Sequence, residues 1–519
     1  MAGYKGKYLR TYFWSGLSMV LSFCSMFIVA PLTTSMPEAY GVYSLCISFN
    51  IFLRYADLGF VVAGRKYAAE AFAVNNHEKE KQYVGTSMSI YGGMSLILFV
   101  FALFFSAFPE FLIKDIEESP YYDIAHQLLL ILAITFPLSI IQKFSSLIYS
   151  VRIEEYKIQS FQIIGSIIKI ASVPLYFFHN RYDIVGYYLF CVIINLSINL
   201  IVLWYSKNIG YGFQEFIRCL KFDKQIFNEI KPLALSGFAS VIGWITYYEL
   251  DTVGVSVLLG ANAVAIYAVG KSIQQFVRSL VGIVFSPYPV RINYFIGQKD
   301  YKGLKNFFYN LVELFSIIII PIVAIVLYAK PFVIAWVGHD YEQSVFVLQM
   351  LVLTFVLHHV TSQGSSVIYG LNKVKDVLKI AFIQPFFFWI GVFATYRFWG
   401  VESFAIFKLA ACLVTEFFYC YLVRKYLEYG KLELYWKLLL KPLIIIGGSC
   451  FLFFSFSYSM VKDVNKSRID FMIVLLVMSV CCLFALIVDW FYNKSLRCEV
   501  KWLKNVGLLK WNKDDNYIL

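Results

Sequence analysis

The chain has 519 residues, of which 60% are hydrophobic and 19% aromatic but only 15% charged. With a mean hydropathy of +0.67, that composition excludes a soluble globular protein. The net charge of +12 is spread between apolar runs rather than gathered on a polar face, which argues against a nucleic-acid partner.

Apolar runs of about 20 residues, the length needed to cross a hydrocarbon core of about 30 Å, occur fourteen times. The first is preceded by Lys5, Lys7 and Arg10, as in a signal peptide. No small-residue cleavage site follows, so it is read as a retained first span. Spans are predicted over 11–35, 40–64, 83–113, 121–150, 157–178 and 184–206, making an N-terminal lobe of residues 1–206. A polar, partly amphipathic break at 207–231 follows, with Arg218, Lys221 and Lys224. It is read as a cytoplasmic linker, a topology signal or a contact with the anionic inner leaflet. Six more spans, near 232–259, 263–290, 306–335, 344–370, 377–396 and 402–423, form a second lobe, residues 232–423. Within residues 424–492, a basic break at 424–441 leads to two last spans, 442–461 and 469–492, and a basic tail covers 493–519. The expected fold class is an all-α polytopic membrane protein, with two six-helix lobes and two C-terminal helices.

Lysine and arginine placement orients this arrangement, because cytoplasmic loops carry the excess. With both termini cytoplasmic, 32 of the 45 fall on the inner side and only seven, Lys114, Arg181, Lys330, Arg397, Lys462, Lys466 and Arg468, on the outer. The expected location is therefore the cytoplasmic membrane, multi-pass.

Residues 39 to 67 read as one spanning helix that carries Arg54 and Asp57 in an apolar run. A charge near the bilayer centre costs on the order of 3 kcal/mol even on lenient scales, so it usually faces a bundle interior or a wet cavity. Tyr43, Asn50, Arg54 and Asp57 share one helical stripe. The stripe returns 224 residues later as Tyr267, Gln274 and Arg278, with Lys271 in place of Ile47, and SSLIY at Ser145–Tyr149 recurs as SSVIY at Ser365–Tyr369. A duplicated unit of that length is common in transporter folds. In even-numbered repeats both halves enter the membrane alike, which would set Arg54 and Arg278 across a central cleft.

Arginine is suited to phosphoryl oxygens, since its planar fork stays charged and donates in pairs. Arg54, Arg278 and Lys271, with the amides Asn50 and Gln274, are the candidate substrate-binding residues. Acids inside spans are candidates for ion coupling, in the order Asp251, Asp57, Glu249. Each has a structural alternative: Asp251 at the depth of Lys271 forms a static or a switchable pair, and Asp57 neutralises Arg54 within its helix. Lys143 and Glu313 lie near span ends and are assigned to the interface. Lys169 and Lys408 have no counterpart in the other lobe, and His358 and His359 are read as buried, hydrogen-bonded histidines.

Ten cysteines show no metal-ligand spacing, and Cys481 and Cys482 lie within an apolar run. Neither disulfides, a metal nor a cofactor is expected. No P-loop, nucleophile elbow, metal-binding histidine pair or Rossmann fingerprint stands in the required context, so no enzyme is expected.

The stretches YGVYSL and RYADLGFVVAGRKYAAE in the second span, and ELDTVGVSVLLGANAVAIYAVGK across the seventh and eighth, resemble the polysaccharide-transporter branch of the multidrug, oligosaccharidyl-lipid and polysaccharide flippase superfamily, which includes O-antigen flippases. That resemblance implies a V-shaped pair of six-helix lobes with alternating access. It also implies a substrate, an undecaprenyl-pyrophosphate-linked oligosaccharide moved to the outer leaflet for surface polysaccharide synthesis. Membrane lipids, a polysaccharide polymerase and a chain-length regulator are the expected partners. A peptidoglycan-precursor flippase and a multidrug exporter of the same superfamily remain alternatives. A membrane polymerase or ligase for sugar chains would be of another class, and usually carries a large outer loop that is missing here.

Overall fold

The computed structural model describes residues 2–55, 57–178, 181–285, 288–371, 373–431 and 433–493. Among these there is no strand, and the predicted spans fall largely on helix, 40–64 and 232–259 each divided between two helices. Among the described residues, ten helices are long and apolar enough to cross a membrane. The predicted spans not among those ten are 40–64, 232–259, 263–290 and 344–370, and the first three of them carry the charged candidate residues.

The chain forms two compact units. One comprises residues 1–268 with 395–404, the other residues 269–394 with 405–519. The first unit contains α1 (Ala2–Thr33), α2 (Pro37–Tyr55), α3 (Phe60–Ala73), α4 (His77–Ala107), α5 (Tyr122–Val151), α6 (Glu155–Phe177) and α7 (Ile184–Tyr205), followed by α8 (Phe213–Cys219), α9 (Lys224–Tyr248) and α10 (Leu250–Leu259). The next helix, α11 (Ala261–Phe285), begins in the first unit and ends in the second. The second unit continues with α12 (Tyr288–Gly297), α13 (Tyr301–Leu314), α14 (Ser316–Leu327), α15 (Ala329–Val337), α16 (Ser344–Gly370) and α17 (Val374–Trp399). Then come α18 (Val401–Leu427), a π-helical stretch Glu433–Leu440, α19 (Lys441–Ser457) and α20 (Arg468–Tyr492).

The internal repeat is visible in where helices start. The α2 and α11 helices begin 224 residues apart, and so do α4 and α13. The caps repeat as well. Asn76 Oδ1 accepts from the Lys79 amide at 3.1 Å, and 224 residues on Asp300 Oδ1 accepts from the Gly303 amide at 2.8 Å. Each cap satisfies one of the orphan donors of a helix N-terminus.

The structure corrects the reading of residues 39 to 67 as one helix. The α2 helix ends at Tyr55, the chain turns at 57–59, and α3 starts at Phe60. The local sequence Asp57-Leu58-Gly59 explains the break. Leu58 and Gly59 have φ of 48° and 84°, and the Asp57 carboxylate accepts from the Val61 amide at 3.1 Å, closing the first turn of α3. An aspartate that binds the backbone and a glycine in left-handed conformation stop one helix and start another. Asp57 therefore does not belong to the helix of Arg54. The seventh predicted span is also interrupted, because α9 gives way to α10 at Glu249.

The 207–231 stretch is docked rather than free. Lys81 pairs with Glu215 at 2.9 Å, Tyr83 donates to Glu229 at 2.6 Å, and the Asp223 amide donates to Thr86 at 3.3 Å, so α4 holds both α8 and the start of α9. Lipid offers no hydrophobic driving force between helices, and close packing must supply the adhesion. Val84, Met88, Phe144, Ile148 and Leu203 are buried together in the first unit, and Leu304, Phe308, Val367, Val423 and Leu434 in the second. The last two helices are integral to the second unit. Asp489 on α20 accepts from Ser316 at 2.8 Å, Asn493 donates to the Glu313 carbonyl at 3.0 Å, and Tyr328 bonds Ser457 on α19. The tail beyond residue 493 lies outside the described residues.

Candidate functional site

The first unit contains a cavity of about 470 Å³ whose wall is about half polar, with Leu138, Cys191, Val192 and Leu196 forming apolar parts of it. The α5 helix contributes Thr135, Ser139, Gln142, Lys143 and Ser146. Steps of three and four keep these on one face, so α5 turns a polar stripe inward while its other faces stay apolar. The α7 helix supplies Tyr188, Asn195 and Asn199 by the same spacing, and Asn50 of α2 and Tyr91 of α4 complete the polar lining.

Hydrogen bonds tie these walls together. Asn50 Nδ2 donates to the Tyr188 hydroxyl at 3.0 Å, and the Thr135 hydroxyl lies 3.4 Å from Asn50 Oδ1. Tyr91 and Ser139 share a bond of 2.9 Å. Lys143 Nζ stands 3.5 Å from the Asp57 carboxylate and 5.3 Å from the centre of the Tyr91 ring. Asp57 therefore has two roles, capping α3 and neutralising Lys143. Nearby, Lys169 Nζ donates to Asn195 Oδ1 at 3.0 Å. The cavity thus offers amides and hydroxyls around Lys143, which Asp57 pairs, with Lys169 behind the wall at Asn195.

A second buried cluster in the same unit surrounds the α9–α10 interruption. Glu249 and Asp251 are both fully buried. Asp251 lies in the first turn of α10, accepts from the Tyr267 hydroxyl and the Thr252 amide, each at 2.7 Å, and takes a longer contact from the Thr252 hydroxyl at 3.3 Å. Tyr267 is fully buried too. A discontinuous helix with buried acids is a recurrent way of building ion sites in transporters.

In the second unit, Lys271, Gln274 and Arg278 follow one another on α11. Lys271 and Gln274 are buried, and Gln274 Nε2 donates to the Leu351 carbonyl at 3.3 Å, joining α11 to α16. Arg278 is half-buried. The side chains of Arg54, His358 and His359 lie outside the described residues. Among the described residues no group of three or more histidine, cysteine, aspartate or glutamate side chains could hold a metal ion.

The architecture has solved counterparts. The lipid II flippase MurJ in an inward closed conformation matches with a TM-score of 0.64 and 16% identity, over 95% of this chain and 99% of that chain. A multidrug resistance MATE family transporter of the MOP superfamily matches in its inward-facing conformation with a TM-score of 0.62 and 13% identity, over 80% of this chain and 96% of that one. An outward-facing MATE structure matches with a TM-score of 0.56 and 14% identity, over 82% and 97%. The chain has the MurJ and MATE transporter fold. No protein-family model and no curated protein matches the sequence.

Of the candidate residues read from the sequence, Asn50 lines this cavity and Asp57 stands beside it against Lys143, while the other polar lining residues were not among the candidates. Lys143 was assigned to the interface from its distance to the span end, whereas it lines the cavity and meets Asp57. The stripe Thr135-Ser139-Gln142-Ser146 and the pair Asn195 and Asn199 were available signals, since polar side chains recurring at helical spacing inside apolar spans mark an inward face.

Proposed function

We propose that this chain is a flippase. It moves undecaprenyl-pyrophosphate-linked oligosaccharide units from the inner to the outer leaflet of the cytoplasmic membrane, by alternating access, for surface polysaccharide synthesis. The observation that carries the reading is the extent of the fold match, 95% of this chain against a lipid flippase but 80–82% against the two MATE structures. The cavity supports it too: its lining carries amides, hydroxyls and Lys143, which Asp57 beside the cavity pairs, and none of the carboxylates a cationic drug would need.

In this reading Arg54, Arg278 and Lys271 take the pyrophosphate, and Asn50 and Gln274 orient the groups beside it. Asp251, Asp57 and Glu249 are the acids whose ion or proton occupancy biases the two states, because a ligand shifts such an equilibrium only through its differential affinity. Both termini are cytoplasmic, the lobes are residues 1–206 and 232–423, and a polymerase and a chain-length regulator receive the product. A second reading, export of a peptidoglycan precursor, is favoured by the MurJ match itself.

The test is surface polysaccharide in a strain lacking the protein, complemented with wild type, Arg54→Ala or Arg278→Ala at matched membrane abundance. The proposal expects polysaccharide to fall at least tenfold in both variants, with lipid-linked repeat units accumulating inside. Normal polysaccharide in the deletion strain, with lysis and accumulated peptidoglycan precursor, would establish the second reading instead. Normal output from both variants would remove the arginines from the substrate site.

A further inference from the structure

We propose that the cavity of the first unit is a sugar subsite, which holds one neutral hexose or hexosamine of the substrate headgroup through its hydroxyl groups. This rests on the flippase reading above and adds to it the part of the substrate that the cavity recognises.

Size separates a sugar from an ion. At about 470 Å³ the cavity is far larger than a bare cation fills, and it falls in the usual range for organic ligands. Charge separates a sugar from a pyrophosphate. Lys143 is the cation of the lining, with Asp57 3.5 Å from it, and Lys169 reaches the wall through Asn195. Every other polar group of the lining is a neutral amide or hydroxyl, which a neutral polyol can use and which cannot neutralise a multiply charged anion.

The chemistry of the lining fits a polyol. An amide offers a carbonyl acceptor beside two N–H donors, and a hydroxyl both donates and accepts. Adjacent sugar hydroxyls need that alternation. Gln142, Ser146 and Asn195 line the cavity and are exposed there. Asn199, one turn beyond Asn195, is buried in the wall behind. Asn195 is further oriented by Lys169, which donates to its carbonyl oxygen at 3.0 Å and leaves its NH2 group for a ligand.

The experiment uses the full-length protein in detergent micelles and two probes, undecaprenyl pyrophosphate and the same lipid carrying one N-acetylhexosamine. Two or three hydrogen bonds of about 1 kcal/mol each imply at least a tenfold preference for the glycosylated lipid. Gln142→Ala and Asn195→Ala are each expected to cut that preference about fivefold, the loss of one hydrogen bond of about 1 kcal/mol, while the bare lipid binds as before. Ser197→Ala, on α7 but outside the cavity lining, should keep it whole. Gln142 and Asn195 are exposed, so either variant can stand in if the other folds poorly. Equal binding of the two lipids by wild type, or full preference in both variants, overturns the subsite and leaves the flippase reading standing. Binding of neither lipid by wild type overturns both.

Discussion

Arg152 sits at the C-terminal end of α5 and is almost fully buried, with its guanidinium 2.7 Å from Glu80. The same carboxylate oxygen accepts from the Tyr211 hydroxyl at 3.0 Å, and the guanidinium lies over the rings of Phe72 and Tyr211 at 4.6 and 5.2 Å. Burial pushes the Tyr211 phenol well above its ordinary value, so it donates to Glu80 as a neutral group. Removing one partner of a buried pair strands the other charge and typically costs 3–5 kcal/mol, whereas replacing both by apolar groups is often neutral. Arg152→Leu is therefore expected to lower stability by about 3–5 kcal/mol, and adding Glu80→Leu should restore much of it. Thermal unfolding of purified single and double variants checks this; a double variant as unstable as the sum of the singles would contradict it. None of this was legible in the sequence, where Arg152 counted only as a topology charge. Its partner lies 72 positions away, and Lys143 and Asp57 are 86 apart. Such distances erase any local signal, and only helical periodicity survives to mark an inward face.

Elements were more legible than partners. Span lengths follow from bilayer thickness and composition, so the predicted spans fall largely on helix, and the repeat registers α2 with α11 and α4 with α13. What escaped were the interruptions. The Asp57-Leu58-Gly59 turn sits in a run whose mean hydropathy hides it, and the break at Glu249 carries neither proline nor glycine. Close helix contact was hidden as well. A Cβ on Gly41 of α2 would stand 1.9 Å from the Ala261 carbonyl oxygen at the start of α11, a backbone atom that cannot swing aside. Helices in lipid depend on such small-residue contacts. Gly41→Val is expected to lower membrane abundance and the unfolding midpoint by the equivalent of about 1–3 kcal/mol or more. Fluorescence-detected size exclusion across a temperature ramp reads both, and a wild-type midpoint would show that the two helix ends separate at little cost.

The molecule is a multi-pass membrane protein with a transporter fold, and its composition alone excluded the soluble alternatives. The flippase proposed above requires a wet, polar place for a charged and glycosylated headgroup, and the amides and hydroxyls of the first unit's cavity are the groups available for its sugars. The most direct test is reconstitution of the purified protein into liposomes containing undecaprenyl-pyrophosphate-linked oligosaccharide in both leaflets, followed by addition of a membrane-impermeant glycosidase outside. The account predicts that the inner-leaflet pool also becomes accessible with wild type, and at least tenfold more slowly with Arg278→Ala. An inner pool as protected as in protein-free liposomes would contradict it.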